Sequence, residues 1–183
     1  MSPREFFKLT SFALVLLSVT ASDGFAQAAK PKQIHPDSLI EAAREIIGLQ
    51  KYCALATIDS AGRPRIRTMN PFPPEGDMTI WMATNSRSRK ADEIRGNPTV
   101  SLYYADHARA TGYVNITGKA YLVDDMQEKL NRKREYWKQA FPDWKYLLLI
   151  KVIPENIEVV NYRRGLAGEE PTWKAPALEM NTR

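Results

Sequence analysis

The chain has 183 residues, 26 of them basic and 21 acidic, for a formal net charge of +5, with one cysteine and two histidines. That length suits one domain with a core of its own. A lone Cys53 excludes an internal disulfide, and His35 and His107 fall outside any H-x-x-H or H-E-x-x-H spacing, so no metal-ligand set is legible. The basic residues are interspersed with acids and form no long tract, which argues against nucleic acid as a partner.

In chain order, Arg4 and Lys8 flank the start of a short apolar run that includes Phe12 to Leu17, and Ala26-Gln27-Ala28 follows with small residues at its first and third positions. Basic, apolar and A-x-A segments in that order read as a secretory signal peptide over residues 1–28. The run is too short for a membrane anchor and is broken by Ser18, Thr20, Ser22 and Asp23. The expectation is an exported chain, periplasmic or secreted, that begins near Ala29 and has no anchor after cleavage. Residues 29–36 read as a flexible leader.

Asp37 or Ser38 is expected to cap a helix with Leu39, Ala43, Ile46 and Ile47 on one face, ending near Gly48. Tyr52 to Ile58 reads as an apolar strand with Cys53 as a small core residue, and Asp59-Ser60-Ala61-Gly62 as a turn. Arg65 to Asn70 and Met78 to Thr84 read as strands, separated by Pro71, Pro73, Pro74 and Gly76. A short helix over Arg89 to Arg95 is stopped by Gly96-Asn97-Pro98. Strands are expected over Thr99 to Ala105 and Tyr113 to Val123. A longer helix follows from Asp124, with Gln127 completing a capping box and Met126, Leu130, Trp137 and Phe141 as its apolar stripe. Two last strands, Tyr146 to Ile153 and Ile157 to Tyr162, are separated by Pro154. The tail, 163–183, reads as irregular. The fold class is mainly β (α+β), a barrel or sandwich with a few helices.

Two segments carry chemistry. Arg63, Arg65 and Arg67 share one face of a strand at period two, where they repel unless an anion or carboxylates compensate them. In Asn85-Ser86-Arg87-Ser88-Arg89-Lys90, two basic residues sit in a helix's first turn, against its dipole. A phosphate bound there relieves the repulsion and meets free N–H groups. A solvated face is the alternative for both segments.

The run TNSRSRKADEIRGNPTVSLYY, Thr84 to Tyr104, resembles the strand–loop–helix–strand signature of the pyridoxamine 5'-phosphate oxidase-like, FMN-binding split β-barrel superfamily. YCALATIDSAGRPRIRTM, YVNITGKAYLV and IEVVNY follow in that family's order, so the likeness covers about residues 38–162 and is nearest to the general stress protein 26-like branch. The resemblance implies an antiparallel split β-barrel with flanking helices over 37–162, and a homodimer holding FMN in a groove between subunits. By position, Arg65, Arg67, Thr68 and Met69 border the flavin and ribityl chain. Ala83 and Thr84 meet the cofactor through backbone groups, Ser88, Arg89 and Lys90 hold the phosphate, and Tyr113 stands at a cofactor-side position that is usually Gln in the true oxidases. The chain departs from those oxidases at its C-terminal end. Val160 replaces their usual Trp, Asn161-Tyr162-Arg163-Arg164-Gly165 follows in place of an Arg-x-His motif, and no His lies beyond His107. The implied function is an FMN-dependent oxidoreductase of a small molecule, with no catalytic residue named. The alternative is a non-catalytic, stress-related protein that binds flavin or another cofactor such as heme or a deazaflavin.

Overall fold

The computed structural model describes residues 34–180. The expected signal peptide, 1–28, lies outside the described residues. Helix α1 (Pro36–Gly48) is capped by His35, whose Nδ1 accepts the Asp37 amide at 3.3 Å. The cap falls before Asp37 because Pro36 takes the first helical turn, where a missing N–H costs no hydrogen bond. Leu39, Ala42, Ala43, Ile46 and Ile47 are buried on one face, at the expected helical spacing.

Strands β1 (Cys53–Ile58), β2 (Pro64–Met69), β3 (Ile80–Asn85), β4 (Thr99–Ala105), β5 (Gly112–Val123), β6 (Leu147–Asn161) and β7 (Ala177–Glu179) form one antiparallel sheet. The order is β2-β1-β4-β5-β6-β3, with β7 on β6. Helix α2 (Arg89–Gly96) links β3 to β4, while α3 (Met126–Asn131) and α4 (Trp137–Ala140) link β5 to β6. The sheet curls until its two edges meet: Pro71, just past β2, bridges Met82 of β3, and the Phe72 amide donates to the Trp81 carbonyl at 2.8 Å. The strand pattern left a barrel or a sandwich open, and this is the split barrel with few helices that the family likeness implies. Leu55, Leu102, Ile116, Ile150, Val152 and Ile157 fill its interior, against which α1 packs. Burial there pushes the Cys53 thiol up to about 11.

Three elements differ from expectation. The two last strands are one strand, β6, that runs through Pro154. The β5 partner shifts from Thr117↔Asn156 to Gly118↔Pro154, so Glu155 is an extra residue in a bulge. Proline is tolerated at such a bulge because the ladder is already interrupted there. The long helix from Asp124 is two short ones. Asp125, not Asp124, caps α3 by accepting the Glu128 amide at 2.8 Å, and Met126 and Leu130 are exposed while Lys129 is buried beside Asp124. Tertiary contacts break the helix between α3 and α4: Arg132 stacks 3.9 Å over Trp81, and Arg134 stacks 3.9 Å over Phe72 and donates to the Pro71 carbonyl at 2.7 Å. Trp137 is core, as its apolar surroundings suggest, in a second cluster with Trp81, Leu147 and Leu149 on the outer face of β3 and β6. The tail is not wholly irregular. It returns as β7, where Leu178 packs on the main core and the Met180 amide reaches the Glu155 carbonyl at 2.8 Å.

Gly118 is required by the bulge, since a Cβ there stands 2.1 Å from the Ile153 carbonyl oxygen. Gly118→Ala forces backbone to move and is expected to cost about 1–3 kcal/mol, as overpacking does. Urea denaturation at neutral pH checks this, and a variant as stable as the wild type refutes the close approach.

Candidate functional site

The site lies beside the junction where the sheet edges touch. Residues of β2 and β1 face each other as Thr57↔Arg65, Leu55↔Arg67 and Cys53↔Met69, so both arginines share the inner face of the sheet with Thr57. Arg67 donates to Thr57 Oγ1 at 2.5 Å and to Glu93 Oε2 of α2 at 2.6 Å. The Thr57 hydroxyl donates to the same carboxylate oxygen at 2.5 Å. Arg89 stands 3.0 Å from the other oxygen, Glu93 Oε1, as an ion pair without hydrogen-bond alignment. Glu93 is only 6% exposed. Burial alone raises its carboxyl, but the Thr57 hydroxyl and the guanidinium groups of Arg67 and Arg89 outweigh burial and hold it below the ordinary range.

From the other edge come Thr84 and the loop into α2. Ser88 occupies the N-cap position, yet its side chain makes no cap hydrogen bond. Its Oγ instead lies 3.1 Å from Thr84 Oγ1, which also accepts from Lys90 Nζ at 3.3 Å. The first-turn N–H groups of α2 are therefore left without the side-chain acceptor that a serine N-cap ordinarily supplies. Lys90 is held below its ordinary value, first by burial and then by Arg67, with Glu93 opposing and Arg89 adding to the repulsion. Three cations (Arg67, Arg89, Lys90) against one carboxylate (Glu93) leave a formal charge of +2 at the start of a helix. A dianionic phosphate is the complement to that arrangement, by charge and by hydrogen-bond donors.

The remaining expected residues are placed differently. Arg65 shares Asp59 with Arg63, at 2.9 and 3.1 Å. The Arg63 amide is the leading cause that takes the Asp59 carboxyl down to about 2, against burial and together with the Ala61 amide and both guanidinium groups. The three arginines in alternation thus find carboxylates, Asp59 for two of them and Glu93 for the third. Arg65 lines a cavity of about 730 Å³ between the β1–β2 turn and the Arg89–Glu93 face of α2. Met69 is buried in the core, and Ala83 packs on the second cluster, leaving only its backbone for a ligand. Thr68 and Tyr113 lie on the outer face of the sheet, away from Arg67. There the Tyr113 hydroxyl donates to Glu158 at 2.8 Å, and burial, then Glu158, pushes it up to about 12. Glu93 and Thr57 were not singled out from sequence. The available signal was the Arg89–Glu93 spacing of four, which puts both on one helix face. No group of three or more His, Cys, Asp or Glu placed to hold a metal ion occurs among the described residues, and none of their helices is long and apolar enough to cross a membrane.

Comparison with known proteins supports the same frame. The family described as pyridoxamine 5'-phosphate oxidase matches residues 39–162. General stress protein 26 of Bacillus subtilis (strain 168) is 29% identical over 122 residues, covering 64% of this chain and 84% of that protein. Among solved structures, a protein related to general stress protein 26 from Clostridium acetobutylicum matches with a TM-score of 0.65 at 18% identity, over 80% of this chain and 97% of its own. A pyridoxamine 5'-phosphate oxidase-related, FMN-binding protein from Nostoc punctiforme PCC 73102 matches with a TM-score of 0.53 at 19% identity, over 81% and 99%. At those identities the two structures speak to the fold.

Glu93 makes the stability of this site depend on pH. Because its folded-state value is depressed, it stabilises the fold above the ordinary carboxylate range, and that contribution is lost as pH falls through the folded value. Glu93→Gln is expected to cost about 1–3 kcal/mol at neutral pH, the scale of a weakened buried hydrogen-bonded group. It also flattens the fall in stability between neutral pH and about pH 3. Denaturation at the two pH values measures both; parallel losses in the two proteins refute the assignment.

Proposed function

The chain belongs to the pyridoxamine 5'-phosphate oxidase family, and on that footing we propose that it binds FMN and serves as an FMN-dependent oxidoreductase of a small molecule. The observation that carries the reading is the inner cluster of Arg67, Arg89 and Lys90 around the single buried carboxylate Glu93, at the start of a helix whose serine does not cap it. FMN, when bound, supplies the redox chemistry itself. The chain's own residues bind and orient. Lys90, Arg89 and Ser88 hold the phosphate, Thr84 keeps Lys90 and Ser88 in place, and Glu93 with Thr57 fixes the Arg67 fork so that little side-chain freedom is lost on binding.

The two faces of the sheet support a homodimer as part of this reading. Arg67 and Lys90 lie inside the curl, whereas Thr68 and Tyr113 lie outside it. One cofactor touches both sets if a second copy contributes Tyr113, which makes the groove between two chains the place for the ring. The order of segments in residues 1–28 supports export to the periplasm or beyond. Pyridoxal phosphate synthesis is disfavoured. Arg164, in the region where the true oxidases carry Arg-x-His, is held by Glu45 at 2.7 Å and Glu41 at 3.2 Å, and no histidine follows it.

Titration of FMN into apoprotein, followed by flavin fluorescence, tests the site. Charge-assisted hydrogen bonds contribute on the order of 1.5–3 kcal/mol each. Replacing Arg89 and Lys90 together by Ala is therefore expected to weaken binding by at least roughly a hundredfold, with allowance for non-additivity. Equal affinities would sink the phosphate assignment. The loaded protein is expected to sediment as a dimer, and a monomer with full FMN affinity removes the case for a composite groove.

A further inference from the structure

A cavity of about 400 Å³ lies between the end of α1, residues 70–74 and Tyr104 of β4. It contains none of the phosphate-cluster residues and none of the outer face around Tyr113. Its apolar walls come from Ile47 of α1 and from Phe72 with Pro71, Pro73 and Pro74. The proline-rich segment makes few ladder bonds of its own, so its rings are free to form a wall. The size is that of a small-molecule pocket.

Three cations line this cavity, Arg44, Lys51 and Arg134, and no carboxylate does. None of the three forms an ion pair among the described residues. Arg44 donates to the carbonyls of Pro74, Glu75 and Gly76, and Arg134 to the Asn70 side chain and the Pro71 carbonyl. Those neutral acceptors fix the guanidinium groups without cancelling their charge, and each Nε–H stays outside the bonds. Lys51 lies 5.3 Å over the Tyr52 ring, also without a carboxylate. The last turn of α1 opposes an anion with roughly half a negative charge. Three full positive charges outweigh it, and the Leu49 and Gln50 amides already cap the Ile46 and Ile47 carbonyls. Tyr104 is wholly buried, and its hydroxyl has no hydrogen-bond partner among the described residues. Burial, then Cys53, pushes that hydroxyl above its ordinary value, so it keeps a proton to turn towards negative charge.

We propose that this cavity binds a small organic acid, with its carboxylate on Arg44, Lys51 and Arg134 and its apolar body against Ile47, Phe72 and the prolines. An inorganic anion would leave those walls in water, and a neutral apolar body would leave three cations unmet. An apolar body that carries one carboxylate answers both. The site stands apart from the cofactor cluster and does not depend on FMN.

Calorimetric titration of the full-length protein at neutral pH with cinnamate, and with cinnamamide as its neutral counterpart, tests the proposal. The wild type is expected to prefer cinnamate by at least about tenfold, the scale of a charge-assisted hydrogen bond. Lys51→Gln is expected to cut cinnamate affinity about threefold, the scale of one exposed charge, and Lys51→Glu to cut it further. Cinnamamide affinity is expected to stay unmoved in both. Lys51 is exposed and its Nζ ties down no other chain segment, so these variants change charge rather than folding. Replacing Arg89 and Lys90 together by Ala is expected to leave cinnamate affinity unchanged, because neither lines the cavity. Equal affinities in the wild type, no binding of either probe, or a preference untouched by Lys51→Glu each overturns the proposal. So does a preference lost with Arg89 and Lys90, which would put the acid on the phosphate cluster instead. The wild-type comparison decides even if a variant fails to fold. FMN titrated into the same wild-type sample reports on the cofactor separately.

Discussion

The contact that brings Pro71 to Met82 is the constraint on which the site depends. It joins the two edges of a six-strand path, β2 and β3, which are farthest apart in sheet order. The segment that makes this contact is rich in proline and short of ladder hydrogen bonds, so other groups must hold it. Arg44 of α1 donates to the carbonyls of Pro74 at 3.0 Å, Glu75 at 2.5 Å and Gly76 at 3.1 Å. Arg134 takes the Asn70 side chain and the Pro71 carbonyl, each at 2.7 Å, and Arg132 pairs with Glu75 at 2.6 Å. Three arginines from two separate regions thus brace one connection. Charge-assisted bonds to carbonyls substitute for the missing ladder.

With the edges fixed, Arg67 and Lys90 are forced into the same small volume, and their mutual repulsion has to be met inside it. Glu93 meets part of it. A second carboxylate would leave an almost neutral pocket with little pull on an anion, and none would leave three cations crowded on a partly buried surface. One carboxylate keeps Arg67 in a single geometry and leaves excess positive charge. Stability and ligand affinity are therefore set against each other at Lys90, whose charge is disfavoured by burial and by Arg67 until an anion arrives.

The curl also separates two chemistries by the thickness of one sheet. Alternation along β2 sends Arg65 and Arg67 inward and Ile66 and Thr68 outward. The inner side collects guanidinium groups and hydroxyls, while the outer side of β1, β4, β5 and β6 collects alanines, tyrosines and Glu158. Opposite electrostatic preferences on the two faces are compatible because each strand residue commits its side chain to one face only.

Local sequence was enough for much of this. The strands from Cys53 to Val123, the turn at Asp59, the α2 segment and the core face of α1 are legible because each is a short-range pattern of apolar spacing and breakers. So is the Ser88-Arg89-Lys90 step as an anion candidate, since the conflict with the helix dipole is contained within a few residues. Tertiary structure alone decided where patterns competed. Period-four apolar spacing suggested a helix through Met126, Leu130 and Trp137, yet Arg132 and Arg134 gain ring faces and carbonyls by leaving it. Pro154 suggested a strand break, yet Gly118 across the ladder leaves room for a bulge. Glu93 and Thr57 gained their roles only when strands distant in sequence brought Arg67 beside them. Tyr113 could be placed opposite Arg67 only through the register of three strand pairs. The sequence by itself settles the strands up to Val123 and which residues carry charge. Which charges meet, and on which side of the sheet, is decided by long-range pairing, because that is where a side chain acquires its neighbours.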